Sequence, residues 1–276
     1  MNGPTVSLYH GDMLTALLTI PTQANLIYMD PPFFTQQVHK TAHGVFAFND
    51  EWSDLSQYLQ YLQRRIAFAE TRLADKGSFV LHCDPRTSYR LRIVCDQSFG
   101  PENFQDEIIW SYKRWPSKTR RLQRFHDVLL RYTRGTEPTF NPIYEPLSPS
   151  TIAKYGTAKQ GARFADGQRS RSEATNEESP GMPLGDVWDI PVIAPRSKER
   201  TGYPTQKPEA LLERLILLTT NPGDTVLDLC CGSGTTLAVA ARLGRNAIGI
   251  DIGQEAISTT SNRLKSLQIA TKLFTL

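Results

Sequence analysis

The stretch NPGDTVLDLCCGSGTTLAVAARLGRNAIGID, from Asn221 to Asp251, decides the fold of this 276-residue chain. Its pattern is that of a strand, a glycine turn, a helix, a second strand and an acid. Thr225 to Leu229 is a short apolar run between turn residues, and Thr235 to Leu243 has the alanine and leucine content of a helix. Asn246 to Ile250 is a second apolar run, followed at once by the acid. This order predicts one strand–helix–strand unit of a doubly wound α/β sheet.

The glycine turn in this unit predicts a ligand site. Gly232-Ser233-Gly234 lets the backbone turn sharply and approach a ligand closely, and Asp251 can accept hydrogen bonds from ribose hydroxyls. No lysine follows the glycines, which argues against a nucleoside triphosphate loop, and the third glycine or alanine of a dinucleotide fingerprint is missing. Asp228, just before the turn, suits a ligand with a positive centre better than a pyrophosphate. Taken alone, the stretch also fits an ordinary turn between strand and helix.

Composition places the chain among ordinary globular proteins. Hydrophobic residues make up 39% and charged residues 21%, and the net charge is +3. The four cysteines (Cys83, Cys95, Cys230 and Cys231) show no C-x-x-C spacing, so we interpret them as small buried side chains in a reducing compartment rather than as a metal or redox centre. The sequence shows no secretory signal pattern and no apolar run of membrane-spanning length, which predicts a cytoplasmic protein without a membrane partner.

A second strand end carries an acid and an aromatic ring. Ala24 to Met29 is a continuous apolar run of the kind found in buried parallel strands, and it leads directly into Asp30-Pro31-Pro32-Phe33. Two prolines cannot continue a central strand, so the chain must leave the sheet here on a stiff turn. If this strand and the Thr225 strand belong to one sheet, both ends line one crevice. The cofactor would then lie on the glycine turn and the substrate at the Asp-Pro-Pro-Phe turn.

The remaining pattern predicts the rest of an α/β domain and one insertion. Further strands are predicted at Thr5–Tyr9, Ser78–His82, Glu107–Tyr112 and Asp127–Tyr132, and further helices at Met13–Leu18, Ser53–Leu73, Arg86–Phe99 and Glu209–Thr219. Phe34 to Asp50 is predicted to be a mobile loop. Asn141 to Ser197 is rich in Pro, Ser, Gly, Arg and Glu and has few apolar pairs, so it is predicted to be a loop-rich insertion.

A basic segment between two predicted strands is a candidate for contact with nucleic acid. Lys113 to Arg124 holds six basic residues, one Trp and no acid. Lys and Arg side chains that neutralise phosphates supply most of the affinity for nucleic acid. The alternative is a basic loop that is simply solvated. The predicted DNA-binding residues are Lys113, Arg114, Lys118, Arg120, Arg121 and Arg124.

Three motifs together resemble those of the β-class S-adenosylmethionine-dependent amino methyltransferases of restriction-modification systems, which act on DNA bases. Asp30-Pro31-Pro32-Phe33 is similar to their catalytic D/N/S-P-P-Y/F motif. Asp228 to Thr236 is similar to their cofactor motif, and Thr205-Gln206-Lys207-Pro208 matches a further family feature. The catalytic motif comes first and the cofactor motif last, which is the circularly permuted order of the β class. The resemblance covers nearly the whole chain outside Asn141 to Ile190.

Two positions depart from the family pattern. The chain has Leu229 where the family usually has Pro, and Cys230 where it usually has a Phe that packs against the cofactor. The loss of this Phe predicts looser packing there, since a cysteine is a weak substitute for a ring. The catalytic motif itself is intact.

The resemblance implies a domain plan and a set of site residues. A Rossmann-like methyltransferase domain would comprise residues 1–140 and 198–276, and residues 141–197 would be an inserted target-recognition region. The implied catalytic residues are Asp30, Pro31, Pro32 and Phe33. The residues implied to bind S-adenosylmethionine are Asp12, Asp30, Thr205, Gln206, Lys207, Asp228, Cys230, Gly232, Ser233, Gly234, Thr235 and Asp251. No metal is required.

The chemistry of amino methylation explains the catalytic motif. An exocyclic amino group is a poor nucleophile because its lone pair is delocalised into the ring. Hydrogen bonds to the Asp30 carboxylate and the Pro31 carbonyl would localise that pair toward the methyl group. The base must leave the duplex to reach such a pocket, where Phe33 can stack on it.

The preferred acceptor is adenine N6 rather than cytosine N4, because the cytosine enzymes of the family more often begin the motif with Ser. Cytosine N4 remains an alternative, as do a nucleotide-dependent oxidoreductase on the same sheet and a non-catalytic DNA-binding module. The implied partner is double-stranded DNA. A companion restriction endonuclease and a homodimer are both left open by the sequence, as is the target site.

Overall fold

The structure is a computed structural model that describes residues 3–20, 23–116, 118, 120–165 and 168–276, with the backbone alone described within residues 160–176. The chain forms two compact units. The larger unit comprises Met1–Asn141 and Asp186–Leu276, and the smaller unit comprises Pro142–Gly185.

The elements are numbered here in chain order. The strands are β1 (Val6–His10), β2 (Ala24–Met29), β3 (Val38–Lys40), β4 (Phe46–Asn49), β5 (Leu73–Cys83), β6 (Phe104–Ser111), β7 (His126–Thr133), β8 (Tyr144–Glu145), β9 (Ala158–Ala165), β10 (Gln168–Glu178), β11 (Met182–Pro183), β12 (Val187–Asp189), β13 (Thr225–Asp228), β14 (Asn246–Asp251) and β15 (Thr271–Thr275). The helices are α1 (Met13–Thr19), α2 (Leu55–Glu70), α3 (Ser88–Phe99), α4 (Pro149–Tyr155), α5 (Glu209–Thr219), α6 (Thr235–Arg242) and α7 (Gln254–Ser266), with one 3-10 turn at Pro101–Asn103.

Within the described residues, nine strands of the larger unit form one sheet in the order β12-β6-β7-β5-β2-β13-β14-β1-β15. Neighbouring strands run parallel, except that β7 is antiparallel to both β5 and β6. The central strand β2 is apolar and almost wholly buried because helices cover both faces of a parallel sheet. It lies directly beside β13, with Ile27 paired to Leu227. The predicted doubly wound fold is therefore confirmed.

Helix α2 shows how the local sequence builds the cover of this sheet. The Asp54 side chain accepts a hydrogen bond from the amide of Gln57 at 2.8 Å and so caps the helix N-terminus. Tyr58, Leu62 and Ile66 follow at helical spacing and are all fully buried. Each such burial contributes about 1.5–3 kcal/mol relative to exposure. The helix thereby fixes the chain that returns from the first strand end.

The predicted boundary between α2 and β5 was wrong. The helix prediction extended to Leu73, but α2 ends at Glu70 and Leu73 is the first residue of β5. The pairing of β5 with β2 shifts register after Ala24, which apolar periodicity does not report. Gly77 is needed at this irregularity, since a Cβ there would lie 2.8 Å from Leu73 Cδ1 and 3.0 Å from the carbonyl oxygen of Ala24.

The prediction of a loop between Phe34 and Asp50 was also wrong. This segment forms an antiparallel hairpin of β3 and β4, in which His39 pairs with Phe48. The two strands have three and four residues, too few to show a clear alternation of apolar and polar side chains. The rings of His39 and Phe48 stack at 4.5 Å, so side-chain contact supports the hairpin.

The smaller unit contains more regular structure than the loop-rich composition predicted. The strands β9 and β10 form an antiparallel pair with irregular register, and β8 pairs with β11. The predicted insertion of residues 141–197 is wider than this unit. Residues 186–197 belong to the larger unit, where β12 pairs with β6 through Trp188 and Trp110.

Candidate active site

The two special strand ends lie at the same edge of the sheet. Asp30 directly follows β2, and the amide of Leu229, directly after β13, donates to the Tyr28 carbonyl at 3.0 Å. One cavity extends along both ends, and nearly all of the predicted cofactor and catalytic residues line it. They are Asp12, Asp30, Pro31, Pro32, Phe33, Thr205, Gln206, Lys207, Asp228, Cys230, Gly232, Ser233, Thr235 and Asp251.

Gly234 does not line the cavity, although it was predicted to bind the cofactor. It has φ 71°, and a Cβ at this position would lie 2.7 Å from Thr260 Cγ2. Gly234 is thus required by the shape of the turn and by the close approach of α7. Gly232 also has a left-handed φ of 49°, but it faces the cavity. The two glycines therefore serve different purposes.

Asp251 connects the glycine turn to the end of β14. Its carboxylate accepts hydrogen bonds from the backbone amides of Gly232 at 2.9 Å and Gly253 at 2.8 Å. Burial raises the pKa of this carboxyl group above its usual value. Asp251 thus fixes the turn as well as facing the cavity, and a ribose contact would add to the two bonds that it already accepts.

Asp228 is the most deeply buried acid that lines the cavity, with 2% of its surface exposed. Burial, together with the negative charges of Asp30 and Asp251, raises its pKa to about 7. The amide of Cys230 donates to its Oδ1 at 3.0 Å and partly offsets this effect. A cation in the cavity would favour the ionised form of Asp228.

Cys230 is half-buried at the cavity wall, where the usual aromatic ring of the family motif is absent. A ring reaches this region from another segment. Tyr203 is 9% exposed and lines the cavity, and its Cε1 lies 3.1 Å from the position of a Cβ on Gly232. Sequence reasoning missed Tyr203, although it directly precedes the Pro-Thr-Gln-Lys-Pro segment.

The Thr205-Gln206-Lys207 segment approaches the catalytic acid from the opposite strand end. Lys207 Nζ forms an ion pair with Asp30 Oδ2, and it also donates to the Thr205 carbonyl at 3.2 Å. Gln206 directs its amide group to its own loop instead, since Oε1 accepts from Thr201 at 2.8 Å and Nε2 donates to Glu199 at 2.6 Å. Lys207 is therefore a neighbour of the catalytic motif, whereas Gln206 braces the segment that carries it.

His82 lies behind the catalytic motif and was not predicted. It is fully buried near the end of β5, with Nδ1 2.8 Å from the Tyr28 hydroxyl and 3.8 Å from Asp30 Oδ1. Its ring centroid is 5.4 Å from that of Phe33. On the other side, Nε2 lies 3.4 Å from Asp127 Oδ2. This histidine thus touches both the acid and the aromatic side chain of the motif.

The His82 contacts continue into β7 and the end of β6. Asp127 also accepts a hydrogen bond from the Tyr112 hydroxyl at 2.9 Å. Burial works against ionisation of Asp127, but its bonds to His82 and Tyr112 outweigh burial and lower its pKa. The signal in the sequence was a polar residue inside an apolar strand next to β2. Such a residue must find a partner, because an unpaired buried polar group is costly.

Asp12 lies at the far end of the cavity, at the start of α1. Its Oδ1 caps that helix by accepting from the amide of Leu14 at 2.9 Å, and its Oδ2 pairs with Arg65 at 2.6 Å. The Arg65 guanidinium in turn lies 3.5 Å from the centroid of the Tyr61 ring. Both oxygens of Asp12 therefore have protein partners, and the side chain is held rigidly at the cavity wall.

The basic segment connects β6 and β7, and none of its described residues lines the cavity. Arg124 Nη1 contacts both carboxylate oxygens of Asp84 at 2.7 and 2.6 Å, and Arg86 Nε contacts the same carboxylate at 2.8 Å. Arg124 thus anchors the segment to the loop after β5. Arg114 lies over the Tyr112 ring at 4.8 Å. Lys118 and Arg120 are exposed, and residues 117 and 119 lie outside the described part.

The cavity suits a nucleoside cofactor that carries positive charge. Gly232 leaves space where a Cβ would meet Tyr203, and two acids, Asp228 and Asp251, face that space. S-adenosylmethionine carries a sulfonium and an ammonium group, which two buried acids can neutralise. The residues present therefore fit this cofactor. Among the described residues no group of His, Cys, Asp and Glu could hold a metal ion, and no helix is long and apolar enough to cross a membrane.

Fold and cavity together are those of a Rossmann-like methyltransferase, and solved structures of this class are similar to the chain. The cytosine-N4-specific PvuII DNA methyltransferase has a TM-score of 0.64 at 18% identity, and the match covers 99% of this chain and 96% of that one. TTHA0409 of Thermus thermophilus, a DNA modification methylase crystallised with S-adenosyl-L-methionine, has a TM-score of 0.62 at 18% identity, with 98% of each chain covered.

The sequence places the chain within this class. Residues 24–262 match the DNA methylase family N6_N4_Mtase, so the chain belongs to this family of S-adenosylmethionine-dependent amino methyltransferases. DNA adenine methyltransferase YhdJ of Escherichia coli is 30% identical over 261 residues, which cover 94% of this chain and 82% of YhdJ. Type II methyltransferase M.HpaI of Haemophilus parainfluenzae is 29% identical over 243 residues, 88% of this chain and 68% of M.HpaI. The resemblance inferred from the three motifs is confirmed.

Proposed function

We propose that this chain transfers a methyl group from S-adenosylmethionine to adenine N6 of a base extruded from double-stranded DNA. The observation that carries the proposal is the position of Asp30, whose carboxylate lies at the carboxyl end of β2 on the wall of the same cavity as the glycine turn. The match to an adenine methyltransferase over most of both chains supports adenine. An acid at the first position of the motif supports it as well.

The Asp30 carboxylate would accept a hydrogen bond from the amino group of the base and direct the nitrogen lone pair toward the methyl donor. In the structure this carboxylate is paired with Lys207, so the base amino group must share it with Lys207 or displace it. The Phe33 ring beside it offers a stacking face, a contact of about 1–3 kcal/mol per base. The turn presents both groups together because two prolines stiffen it.

The cofactor would be held by the acids and the glycine turn. Asp251 would accept from ribose hydroxyls, while Asp228 and the backbone of Gly232 to Ser233 would face the methionine end. When bound, this cofactor supplies an electrophilic methyl group on a sulfonium sulfur. The protein's own contribution is to place the amino nitrogen in line with that group and to exclude water.

The basic segment and the smaller unit would provide DNA binding. Lys113, Arg114, Lys118, Arg120 and Arg121 would contact phosphates, and Arg124 would hold the segment in place through Asp84. The smaller unit would read base edges and so select the target site. A cytoplasmic location, a companion restriction endonuclease and a homodimer are consistent with this role, and none of them is required by it.

Sequencing DNA from a host that expresses the chain, with detection of modified bases, tests the proposal. N6-methyladenine at one recurring site is expected, and a host that carries the Asp30→Ala variant should lack it. N4-methylcytosine instead would keep the amino methyltransferase and replace the acceptor. Unmodified DNA, combined with retention of NAD rather than S-adenosylmethionine in equilibrium dialysis, would favour an oxidoreductase. Cofactor and DNA binding without any methylation would favour a non-catalytic DNA-binding module.

A further inference from the structure

The backbone immediately after the catalytic motif is held in an unfavourable conformation. Phe34 has φ 59° and Gln36 has φ 58°, and neither residue is a glycine. L-residues with a side chain rarely adopt this left-handed region, and such strain persists only where surrounding contacts enforce it. Strain of this kind concentrates at functional sites. The contacts that enforce it here should therefore matter for the geometry of the motif.

One buried carboxylate supplies most of these contacts. Asp50 is 1% exposed, and its Oδ1 and Oδ2 accept hydrogen bonds from three consecutive backbone amides. The distances are 3.1 Å to Phe33 N, 3.0 Å to Phe34 N and 2.8 Å to Thr35 N. Consecutive amides that converge on one anion form a concave anion-binding nest. In this chain the anion is a side chain from 15 to 17 residues further on.

Two further donors complete the environment of Asp50. The Thr35 hydroxyl donates at 2.6 Å and the Trp52 indole Nε1 at 2.8 Å, so five donors converge on this carboxylate. The backbone is also bonded in both directions, from Gln36 N to the Asp50 carbonyl and from Asp50 N to the Gln37 carbonyl, each at 3.0 Å. A fully satisfied buried carboxylate has little freedom to move, and neither have the groups that it holds.

The same carboxylate determines the orientation of the hairpin that follows. The Thr35 hydroxyl has one proton, and the 2.6 Å bond to Asp50 uses it. The contact of 3.1 Å between this hydroxyl and His39 Nε2 must therefore be donated by the imidazole. His39 lines the cavity and stacks on Phe48 of β4. Asp50 thus acts, through Thr35, on the cavity wall opposite the motif.

We propose that Asp50 is a positioning residue for methyl transfer. By holding the amides of residues 33 to 35 it fixes the Phe33 ring beside Asp30, so that an extruded base is stacked and hydrogen-bonded in one orientation. The other end of the turn is held separately, because the Tyr58 hydroxyl donates to the Pro32 carbonyl at 3.0 Å. The role in transfer rests on the proposed function, whereas the role in holding the backbone does not.

The test compares Asp50→Asn with the matched control Asp54→Asn. The asparagine would direct an NH₂ group at donors that need an acceptor. Asp54 lies four residues on, and its side chain caps α2 through Gln57 N rather than bonding to the turn. For Asp50→Asn we expect single-turnover methylation to fall at least tenfold, while the dissociation constants for S-adenosylmethionine and DNA stay within threefold. Asp54→Asn should methylate within twofold of the parent.

Hydrogen exchange provides a readout that does not depend on activity. The amides of Phe33, Phe34 and Thr35 should exchange at least tenfold faster in Asp50→Asn, with the core strands unchanged. A milder variant, Thr35→Val, removes only the 2.6 Å hydroxyl bond and should lower the transfer rate about threefold. This variant keeps the test decisive if Asp50→Asn does not fold.

The proposal is overturned if Asp50→Asn methylates within twofold of the parent, or if these three amides exchange at the parent rate. It is also overturned if Asp50→Asn fails to fold and Thr35→Val shows the full parent rate. A parent protein that methylates no DNA would contradict the proposed function instead. In that case the exchange data alone decide whether Asp50 holds the turn.

Discussion

At the scale of single residues, Asp228 has a pKa that matters near neutral pH. Burial raises this pKa to about 7, so the apo protein binds a proton at Asp228 over a range where the free side chain would have lost it. A cationic cofactor favours the ionised form, and its binding should therefore release this proton. The affinity for S-adenosylmethionine should rise as the pH increases toward about 7 and then level off.

Calorimetry in buffers of different ionisation enthalpy measures this effect directly. We expect proton release on binding at pH 6 and little at pH 8. Asp228→Asn should bind more weakly and lose the pH dependence, whereas Asp224→Asn, at a position outside the cavity, should retain it. An unchanged number of released protons in Asp228→Asn would show that another group carries the linkage.

The same raised pKa has a consequence for stability. A folded pKa above the unfolded value of about 3.9 stabilises the protein below that value, and this contribution is lost as the pH rises toward about 7. Removing the ionisable group should remove the loss, at up to about 1.4 kcal/mol per pH unit. Asp228 is thus held at a cost in stability near neutral pH, as expected of a buried acid that serves a ligand.

At the scale of elements, the basic segment between β6 and β7 gives a prediction about DNA binding. Replacing Arg120 and Arg121 by Ala should weaken binding to all DNA sequences alike and lower the slope of log affinity against log salt by about 0.9 per lost contact. The matched control removes Lys265 and Lys272, which makes the same change in net charge on α7 and β15. Fluorescence anisotropy over a salt series measures both slopes. Equal slopes in the parent and in both double variants would identify the segment as a solvated loop.

The elements also show what could be predicted from the sequence. The strands β2 and β13 were predicted because burial on both faces gives a continuous apolar run, and the turns after them were predicted because prolines and glycines limit the backbone. The edge strand β15 was not identified, since four of its five residues are exposed and the run TKLFT shows no clear pattern. The three-residue β12 was missed because it is defined by its pairing with β6.

The site followed the same division. Asp30 and the glycine turn lie in contiguous motifs, so their chemistry could be read locally. His82 and Asp50 act through contacts with residues that are distant in the chain, Asp30 for the histidine and Phe33 for the acid. These partners became apparent only when β5 and the β3–β4 hairpin were placed beside β2. A buried polar residue in an apolar segment was the available signal, and it does not identify its own partner.

At the scale of the whole molecule, the two compact units allow binding specificity and chemistry to be separated. Exchanging Pro142–Gly185 for the matching unit of a related methyltransferase should change the target site and preserve methyl transfer, because base-edge contacts specify while backbone contacts position. Modified-base sequencing of host DNA reads out the site. Activity at the original site after the exchange would place recognition elsewhere, with the β3–β4 hairpin as the next candidate.

The account rests most directly on Asp30, and single-turnover methylation of a duplex with 2-aminopurine at the target base tests it. Asp30 is proposed to act on the amino group as the nitrogen attacks, so its removal should lower the transfer rate far more than it weakens binding. We predict that Asp30→Ala abolishes methylation and retains part of the fluorescence rise on base extrusion, while Phe33→Ala reduces that rise and Phe33→Trp largely keeps it. Methylation by Asp30→Ala at close to the parent rate would contradict the central claim.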